Sequence, residues 1–427
     1  NRVASPTLSW RLTGILRDSK TQIRELTNER GYLGAALRYA PDDATTVDVI
    51  ASYTKDAPIS PPGVPFALTQ TGDGKALRDT YFGEPGFDDS DRDMANLGIE
   101  ISHQMDNGWT LSQGFRAERF DWTYTGHYVS GLTDDGLSVA RGANFQDEST
   151  TGLNLDTRLS NSITTGSVTH DLLLGLDIRQ YDADTTTQFF FGQPIDASDP
   201  VYGGLPATPA WYTSISDISQ KQVGLYAQDE ITVGNWRGSL AIRQDWTEQT
   251  GTKFTNFDGD TPIDQSDSAT TGRVGLGYVL ANGVMPYASY STSFDPTIGI
   301  DDTTGETLDP TEGKQWEVGV KYQPAGFDGL FSAAVYDLTQ QNLVRNLGQG
   351  RRRQVGEVRS KGLELEATAA LSAAWDLRAS YAFNETEQKG GPEDGLEMPN
   401  APRHLASLWL DRDFGNGLRA GGGIRHI

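Results

Sequence analysis

The stretch that decides the fold covers residues 271–324 and reads TGRVGLGYVLANGVMPYASYSTSFDPTIGIDDTTGETLDPTEGKQWEVGVKYQP. Near its end, apolar residues alternate with polar or small ones in the order Trp316, Glu317, Val318, Gly319, Val320, Lys321, Tyr322. Successive side chains of a strand point to opposite faces, so this order predicts a strand with one apolar and one polar face. Asn282-Gly283 predicts a two-residue hairpin turn, because both residues tolerate positive φ angles. The following connection, 295–312, is instead long, acidic and rich in Thr, Gly and Pro.

This unit of tight turn, two-faced strand and long loop recurs along the whole chain. About seventeen strands are predicted in total, from alternation and turn signals. Outside the opening stretch they cover 9–17, 31–40, 46–55, 95–102, 109–122, 153–160, 168–181, 221–232, 236–247, 330–340, 358–371, 375–387, 402–414 and 418–427. The long loops between them are predicted at 56–92, 123–149, 184–219 and 248–268.

Composition excludes several classes of protein. The 427 residues carry a net charge of -23 and contain no cysteine. Such acidity argues against a nucleic-acid partner, which needs clustered Lys and Arg to neutralise phosphates. Without cysteine there is no disulfide, thiolate metal site or cysteine nucleophile. Linkers rich in Pro, Ser or Gly are missing, so residues 1–427 are predicted to form one architecture.

The pattern of connections predicts a membrane barrel. Mean hydropathy is -0.49, and no apolar run reaches the roughly 18 to 20 residues of a membrane-spanning helix. A barrel strand needs only about 10 residues of alternating character, and outer-membrane barrels place short turns at one end and long loops at the other. Backbone groups in hydrocarbon must pair within the protein, so such a sheet closes. The predicted fold class is therefore all-β, a transmembrane antiparallel β-barrel of the outer-membrane type.

Several phrases resemble one family of barrels in particular. They are WRLTGILRDS at Trp10, YFGEPGFDD at Tyr81, HDLLLGLDI at His170, VGLYAQDEI at Val223, PYASYSTSFDP at Pro286, GKQWEVGVKYQP at Gly313, GEVRSKGLELEA at Gly356 and PRHLASLW at Pro402. In this order they resemble the TonB-dependent ferric-siderophore receptors of Gram-negative outer membranes, especially the subgroup that takes up hydroxamate siderophores. The resemblance implies a 22-stranded barrel filled by an N-terminal plug domain. The chain is then expected to be a partial barrel without its plug and last strands.

The resemblance also implies the ligand and the partners. The ligand is an iron(III)-siderophore chelate, and uptake is energised by the TonB-ExbB-ExbD complex through an N-terminal region that this chain lacks. Outer-membrane lipid and lipopolysaccharide surround the barrel. No cofactor is expected, because the iron arrives already coordinated.

A bulky chelate of this kind needs a cup of aromatic side chains with a few hydrogen-bond donors. The predicted ligand-binding residues lie in or beside the long loops: Phe66, Tyr124, Tyr128, Phe191, Tyr202, Trp211 and Tyr212. Phe191-Gly192 matches the place where the family pattern has an aromatic residue followed by glycine. The alternative is that these aromatics belong to the interfacial girdle of a barrel, where Tyr and Trp collect. The girdle better explains Trp109, Trp236 and Trp375, which lie beside short turns.

Charged motifs are expected to be solvated. Arg351, Arg352 and Arg353 could bind an anionic ligand or lipopolysaccharide phosphate, but charge runs are usually solvated loops. Asp88, Asp89 and Asp91 lack the glycine and distal glutamate of a calcium loop. The five histidines show no zinc-type pairing.

These observations predict a receptor for ferric siderophores, with a passive porin or a receptor for another ligand as alternatives. Haem is disfavoured, because Glu118 follows Phe115-Arg116-Ala117 where haem receptors of this superfamily carry proline. With only 4 methionines, a copper(I) receptor is disfavoured too. No nucleophile is paired with a histidine at a recognisable spacing, so an enzyme is not expected.

Overall fold

The computed structural model describes residues 7–70, 77–134, 136–348, 351–390 and 392–427, and nearly all of them lie in strands or in the connections between strands. In chain order the elements are β1 (Leu8–Lys20), β2 (Thr27–Tyr39), β3 (Thr45–Asp56), α1 (Phe66–Thr69), β4 (Asp89–Gln104), β5 (Thr110–Leu132), β6 (Ser138–Thr165), β7 (Val168–Phe191), β8 (Ile195–Asp196), β9 (Tyr212–Val233), β10 (Trp236–Thr255), β11 (Gly259–Tyr278), β12 (Val284–Asp295), β13 (Thr311–Tyr322), β14 (Gly329–Gln341), β15 (Val344–Gly348), β16 (Arg351–Gln354), β17 (Glu357–Ser372), β18 (Trp375–Lys389), β19 (His404–Asp413) and β20 (Arg419–His426). No helix in this described part is long and apolar enough to cross a bilayer.

The strands form one antiparallel series in which each strand pairs with the next. The large sheet has 18 strands, and one of them, β8, is a two-residue strand that pairs with β6. Leaving β8 aside, seventeen strands follow one another from β1 to β20, and β15 and β16 form a separate hairpin. The predicted all-β antiparallel fold and its strand number are confirmed for the described residues.

The polar face of this sheet is concave. A cavity of about 770 Å³ is lined jointly by strands β3 to β7, by β9 and by the end of β12. Its lining includes Asp48, Glu100, Asp156, Arg158, Gln222 and Asp295. At alternate positions the apolar side chains lie on the other face, where Leu174 and Ile178 of β7 are 44% and 39% exposed. The polar face is thus the inside of the barrel, and the apolar face is the surface that meets lipid.

Two predicted loops are in fact strand. The predicted loops at 123–149 and 248–268 are the paired loop-end halves of β5, β6, β10 and β11, and only 133–137 and 256–258 connect them. A crossing takes about 10 residues, whereas β6 has 28, so these halves rise above the bilayer. There the outer face meets water, and inner-face residues such as Gln249, Lys253 and Thr255 are polar although they are buried. Both faces are therefore largely polar, which removes the alternation by which strands are recognised. The loop predicted at 56–92 spans 57–88, and residues 71–76 within it lie outside the described residues.

The turn at Asn282-Gly283 is also longer than predicted. Residues 279–283 join β11 to β12, with the Leu280 N–H donating to the Val284 carbonyl at 2.8 Å and the Gly283 N–H donating to the Leu280 carbonyl at 2.9 Å. Only Gly283 of this pair has a positive φ, at 85°. A single glycine therefore reverses the chain here.

On the inner wall, glycine lets a large side chain lie flat against its neighbouring strand. Gly175 of β7 is opposite Tyr226 of β9, and a Cβ at Gly175 would overlap the Tyr226 ring. The Tyr226 hydroxyl donates to Asp156 Oδ1 at 2.7 Å. The Arg243 guanidinium lies 5.5 Å from the Tyr226 ring centre and donates to Asp245 Oδ1 at 2.7 Å. The ring is thereby fixed between a backbone and a cation.

We expect Gly175→Ala to destabilise the barrel by about 1–2 kcal/mol, because the Tyr226 ring must leave its place and its hydrogen bond to Asp156. Gly152→Ala is the matched control, since its added Cβ would come no closer than 3.9 Å to Glu118 Cβ. The measurement is urea unfolding of the full-length protein in lipid vesicles. Equal midpoints for the two variants would show that the ring does not depend on the glycine.

Candidate functional site

Aromatic side chains form one connected cluster where the strands reach the long loops. Phe191 stacks on Trp211 with ring centres 5.9 Å apart, and Phe189 lies 6.0 Å from both Tyr128 and Tyr212. Tyr212 continues the contact to a further ring, Phe257, at 5.9 Å. We call Tyr128, Phe189, Phe191, Trp211, Tyr212 and Phe257 the aromatic cluster.

Strand periodicity directs these rings inward. Phe189 and Phe191 lie an even number of residues from Asp177 along β7, whose pairing with β6 and β9 runs without a bulge. Asp177 faces the interior, where it accepts a hydrogen bond from Arg243 at 3.2 Å. Tyr212 is directly opposite Phe189 and so shares its face.

The cluster has a buried base and an open rim. Tyr212 is only 3% exposed, whereas Phe191 is 68% and Phe257 67% exposed. Burial is the main cause that raises the pKa of Tyr212 above its ordinary value, so its phenol stays neutral at physiological pH. The arrangement presents apolar ring faces to a guest above a neutral phenol at its base.

Four of the seven predicted residues come together in this cluster, namely Tyr128, Phe191, Trp211 and Tyr212. Tyr124 packs on Trp122 instead, at 5.3 Å, and it is buried. The Tyr202 hydroxyl donates to the Tyr81 carbonyl at 3.0 Å. Phe66 lies in α1 and is exposed. Their roles in binding stay predictions.

Sequence reasoning missed Phe257. It lies in the three-residue connection between β10 and β11, inside a stretch predicted to be a long polar loop. The available signal was an aromatic residue among Thr, Asn and Asp, three residues after Phe254. Only the pairing of Thr255 with Gly259 brings this residue to the level of Tyr212.

The YFGEPGFDD motif forms a buried support beside the cluster. We call residues 81–88 the support segment. Phe82 packs with Val139, Ile195 and Ala197 in a core that contains no exposed residue. Glu84 forms an ion pair with Arg141 of β6, and the two side chains are 2% and 1% exposed. The segment therefore joins the 57–88 loop to β6 and to the loop after β7.

Asp88 is buried, so the prediction that it belongs to a solvated acidic run is wrong. His127 Nδ1 lies 2.7 Å from Asp88 Oδ1, the Glu84 N–H donates to Asp88 Oδ2 at 2.7 Å, and the Tyr81 hydroxyl also donates to Oδ2. Burial, the largest influence, raises the pKa of Asp88, but the hydrogen bonds from His127, Tyr81 and Glu84 outweigh it and hold the pKa below its ordinary value. Asp89 is exposed as predicted.

A second loop block lies against β9 to β11. The loop 296–310 brings Ile300 against Ile218 and Ile263, and Lys253 pairs with Asp302 in a largely buried contact. Gln249 Nε2 donates to the Thr297 carbonyl at 2.7 Å. This loop therefore folds onto the inner face of the strands.

The arginine triplet belongs to the second block, and the prediction of a merely solvated loop run is corrected. Arg351, Arg352 and Arg353 begin β16. The Arg352 N–H donates to Asp302 Oδ2 at 2.7 Å, and the Arg353 guanidinium pairs with Glu393 at 2.8 Å. Of the three arginines, only Arg351 is exposed; Arg352 and Arg353 are half-buried. Strand pairing with β15 holds the triplet in place.

Among the described residues, no group of three or more His, Asp or Glu side chains is arranged to hold a metal ion. The site is therefore a cluster of aromatic rings beside two anchored loop blocks, with a buried base and an exposed rim. Such a site can hold a bulky guest by ring contact.

Comparison with known proteins agrees with this architecture. A family model described as TonB dependent receptor-like, beta-barrel, matches residues 29–427. The chain is 35% identical to the ferrioxamine B receptor of Salmonella typhimurium over 98% of its own length and 60% of that protein. It is 30% identical to the ferrichrome outer membrane transporter/phage receptor of Escherichia coli over 97% of its own length and 59% of that protein.

A solved structure shows the same fold. The ferric-catecholate import receptor Fiu of Escherichia coli superimposes with a TM-score of 0.80 at 17% identity, over 99% of this chain and 68% of Fiu. The chain spans about 60% of the length of the curated relatives it matches. With the family model matched over residues 29–427, the chain belongs to the family of TonB-dependent receptor-like β-barrels, which are outer-membrane proteins of Gram-negative bacteria.

Proposed function

We propose that this chain is the partial barrel of an outer-membrane receptor that takes up ferric siderophores. The observation that carries the proposal is the aromatic cluster, whose exposed rings Phe191 and Phe257 face the inside at the long-loop end. A ferric siderophore has its iron coordination filled, so a receptor recognises it by shape and ring contact and needs no metal ligands. Aromatic rings provide large, stiff contact areas at low entropic cost.

The hydroxamate class is the best-supported ligand. Relatives at 35% and 30% identity are named for ferrioxamine B and for ferrichrome, and both of these chelates are hydroxamates. The base of the cluster is the neutral, buried Tyr212, which suits a chelate held by contact more than one held by ion pairs. Binding changes no bond in the ligand.

The remaining parts of the receptor follow from the family. We infer that residues 1–427 form a single barrel domain and that a separate plug domain fills its interior. The polar inner wall and the cavity of about 770 Å³ support this inference, since a wall of carboxylates and guanidinium groups suits a hydrated protein surface. The energy would come from the TonB-ExbB-ExbD complex, and lipid with lipopolysaccharide would surround the outer face.

We expect Phe191→Ala to weaken binding of ferric ferrioxamine B by up to about tenfold, because the exposed ring is offered to the guest and one aromatic contact contributes about 0.5–1.5 kcal/mol beyond its area. The measurement is titration of purified full-length receptor by isothermal calorimetry. Phe327→Ala is the matched control: Phe327 also stacks on a ring, that of Phe331, but beside a short turn at the opposite end. If both variants bind as the unchanged receptor does, Phe191 is not in the site.

Deleting the gene for the TonB energy transducer should abolish uptake of the radioactive iron chelate by whole cells while leaving its surface binding intact. Uptake by a gated receptor requires the transducer, whereas diffusion through an open pore does not. Uptake that continues at the same rate in the deletion strain would favour the passive porin. Cells that lack the receptor itself give the background for both measurements.

A further inference from the structure

The loop 192–211, which follows Phe191 at the rim of the cluster, is held to the support segment by a buried side chain. Arg141 of β6 donates from Nη1 to the Gly83 carbonyl at 2.7 Å and from Nε to the Gln193 carbonyl at 2.8 Å. Its Nη2 donates to Glu84 Oε2 at 3.3 Å. The guanidinium thus joins two stretches of chain, the support segment through Nη1 and Nη2 and the loop after β7 through Nε.

Glu84 extends this connection to the far part of the same loop. Its carboxylate accepts hydrogen bonds from the N–H groups of Gly203 and of Gly204, the latter at 3.2 Å. The Tyr202 hydroxyl donates to the Tyr81 carbonyl at 3.0 Å. The Glu84–Arg141 pair therefore ties both 192–193 and 202–204 to the support segment.

The backbone of Arg141 reaches the rim directly. The Gly192 N–H donates to the Arg141 carbonyl at 3.1 Å, and a Cβ at Gly192 would come within 2.9 Å of that oxygen. Only glycine permits this approach without a shift. Phe191, the preceding residue, is therefore placed by the same contact.

The loop 192–211 begins after Phe191 and ends at Trp211, so its shape decides whether the two rings stack. The Ala207 N–H donates to the Phe191 carbonyl at 2.8 Å, and the Trp211 N–H donates to the Phe189 carbonyl at 3.0 Å. The support segment is itself held by the hydrogen bonds that Asp88 accepts from His127 and Tyr81. Fixing the loop to that segment holds the stacked pair at the rim.

We propose that Arg141 and Glu84 are positioning residues for the ligand, which hold Phe191 and Trp211 in their stacked arrangement before any ligand arrives. The proposal rests on the function proposed above. Neither side chain touches the ligand, because both are buried beneath the loop. Removing one partner leaves the other as an unpaired buried charge. The loop is expected to open in response, while the backbone ladders keep the strands in place.

The test compares Arg141→Met and Glu84→Gln with the unchanged full-length receptor. Hydrogen exchange is followed without ligand, and stopped-flow fluorescence then gives the association and dissociation rates of ferric ferrioxamine B. In both variants the backbone amides of residues 192–211 should exchange about tenfold faster than in the unchanged receptor. The amides of β9 and β10 should exchange no faster. Association should slow by about tenfold with an unchanged dissociation rate, since apparent affinity falls with the competent fraction.

Arg119→Met is the matched control, because the Arg119 guanidinium pairs with Asp121 in an exposed contact at 2.8 Å and touches neither loop block. It should leave exchange and both rates unchanged. Arg141→Lys keeps the charge but lacks the planar fork that reaches the Gly83 carbonyl, the Glu84 carboxylate and the Gln193 carbonyl at once, so it should restore only part of the association rate.

Unchanged exchange in 192–211, or faster exchange with an unchanged association rate, would overturn the proposal. A variant that only misassembles lowers the number of binding sites but leaves the association and dissociation rates at the remaining sites unchanged. That result would also count against a positioning role. If the unchanged receptor binds no ferric ferrioxamine B, the proposed ligand fails. Exchange in 192–211 then decides on its own whether the pair holds the loop.

Discussion

Every backbone N–H and C=O group that enters the hydrocarbon of a membrane must find its partner inside the protein. Among the described strands of the large sheet each pairs with its neighbour, as in the ladder from Val168 opposite Val233 to Phe189 opposite Tyr212. Because the backbone is satisfied by the ladder alone, the side chains are free to differ between the two faces. The apolar outer face and the charged inner face both follow from that freedom.

The same ladder carries the site. Strands β7 and β9 continue in register beyond the length that a membrane crossing needs, and this continuation sets the height and direction of Phe189 and Tyr212. A loop by itself would have to order these rings from a flexible state, at a cost in conformational entropy. A strand that rises above the bilayer instead places these rings through the same pairing register that it has within the membrane.

The alternation of apolar and polar residues was sufficient to predict the strands that cross the membrane, as Trp316 to Tyr322 in β13 and Leu172 to Ile178 in β7 show. It failed for the upper halves of β5, β6, β10 and β11, where the outer face meets water and the inner face is largely polar although buried, so that apolar residues do not mark one face. Tyr128, Phe191, Trp211 and Tyr212 could be predicted because each is an aromatic residue in a predicted long loop, 123–149 for Tyr128 and 184–219 for the other three. Phe257 could not, since its place depends on a strand pairing that no local pattern reveals. The burial of Asp88 was missed for a related reason. Its side-chain donors are Tyr81 of the support segment and His127 of β5, and no local pattern shows that these two parts of the chain meet.

Buried charge is a costly way to hold a loop, and an apolar contact of the same volume is often more stabilising. The advantage of the Glu84–Arg141 pair lies in direction. An apolar core such as Phe82 with Val139 and Ile195 tolerates sliding, because its contacts have no preferred orientation, whereas a guanidinium that donates to two carbonyls and a carboxylate accepts one arrangement. A cup that recognises a chelate by shape needs its rings fixed in orientation as well as brought together, since ordering them after contact would reduce the affinity gained. Packing therefore brings the loops together, and the charged pair sets the orientation in which they meet.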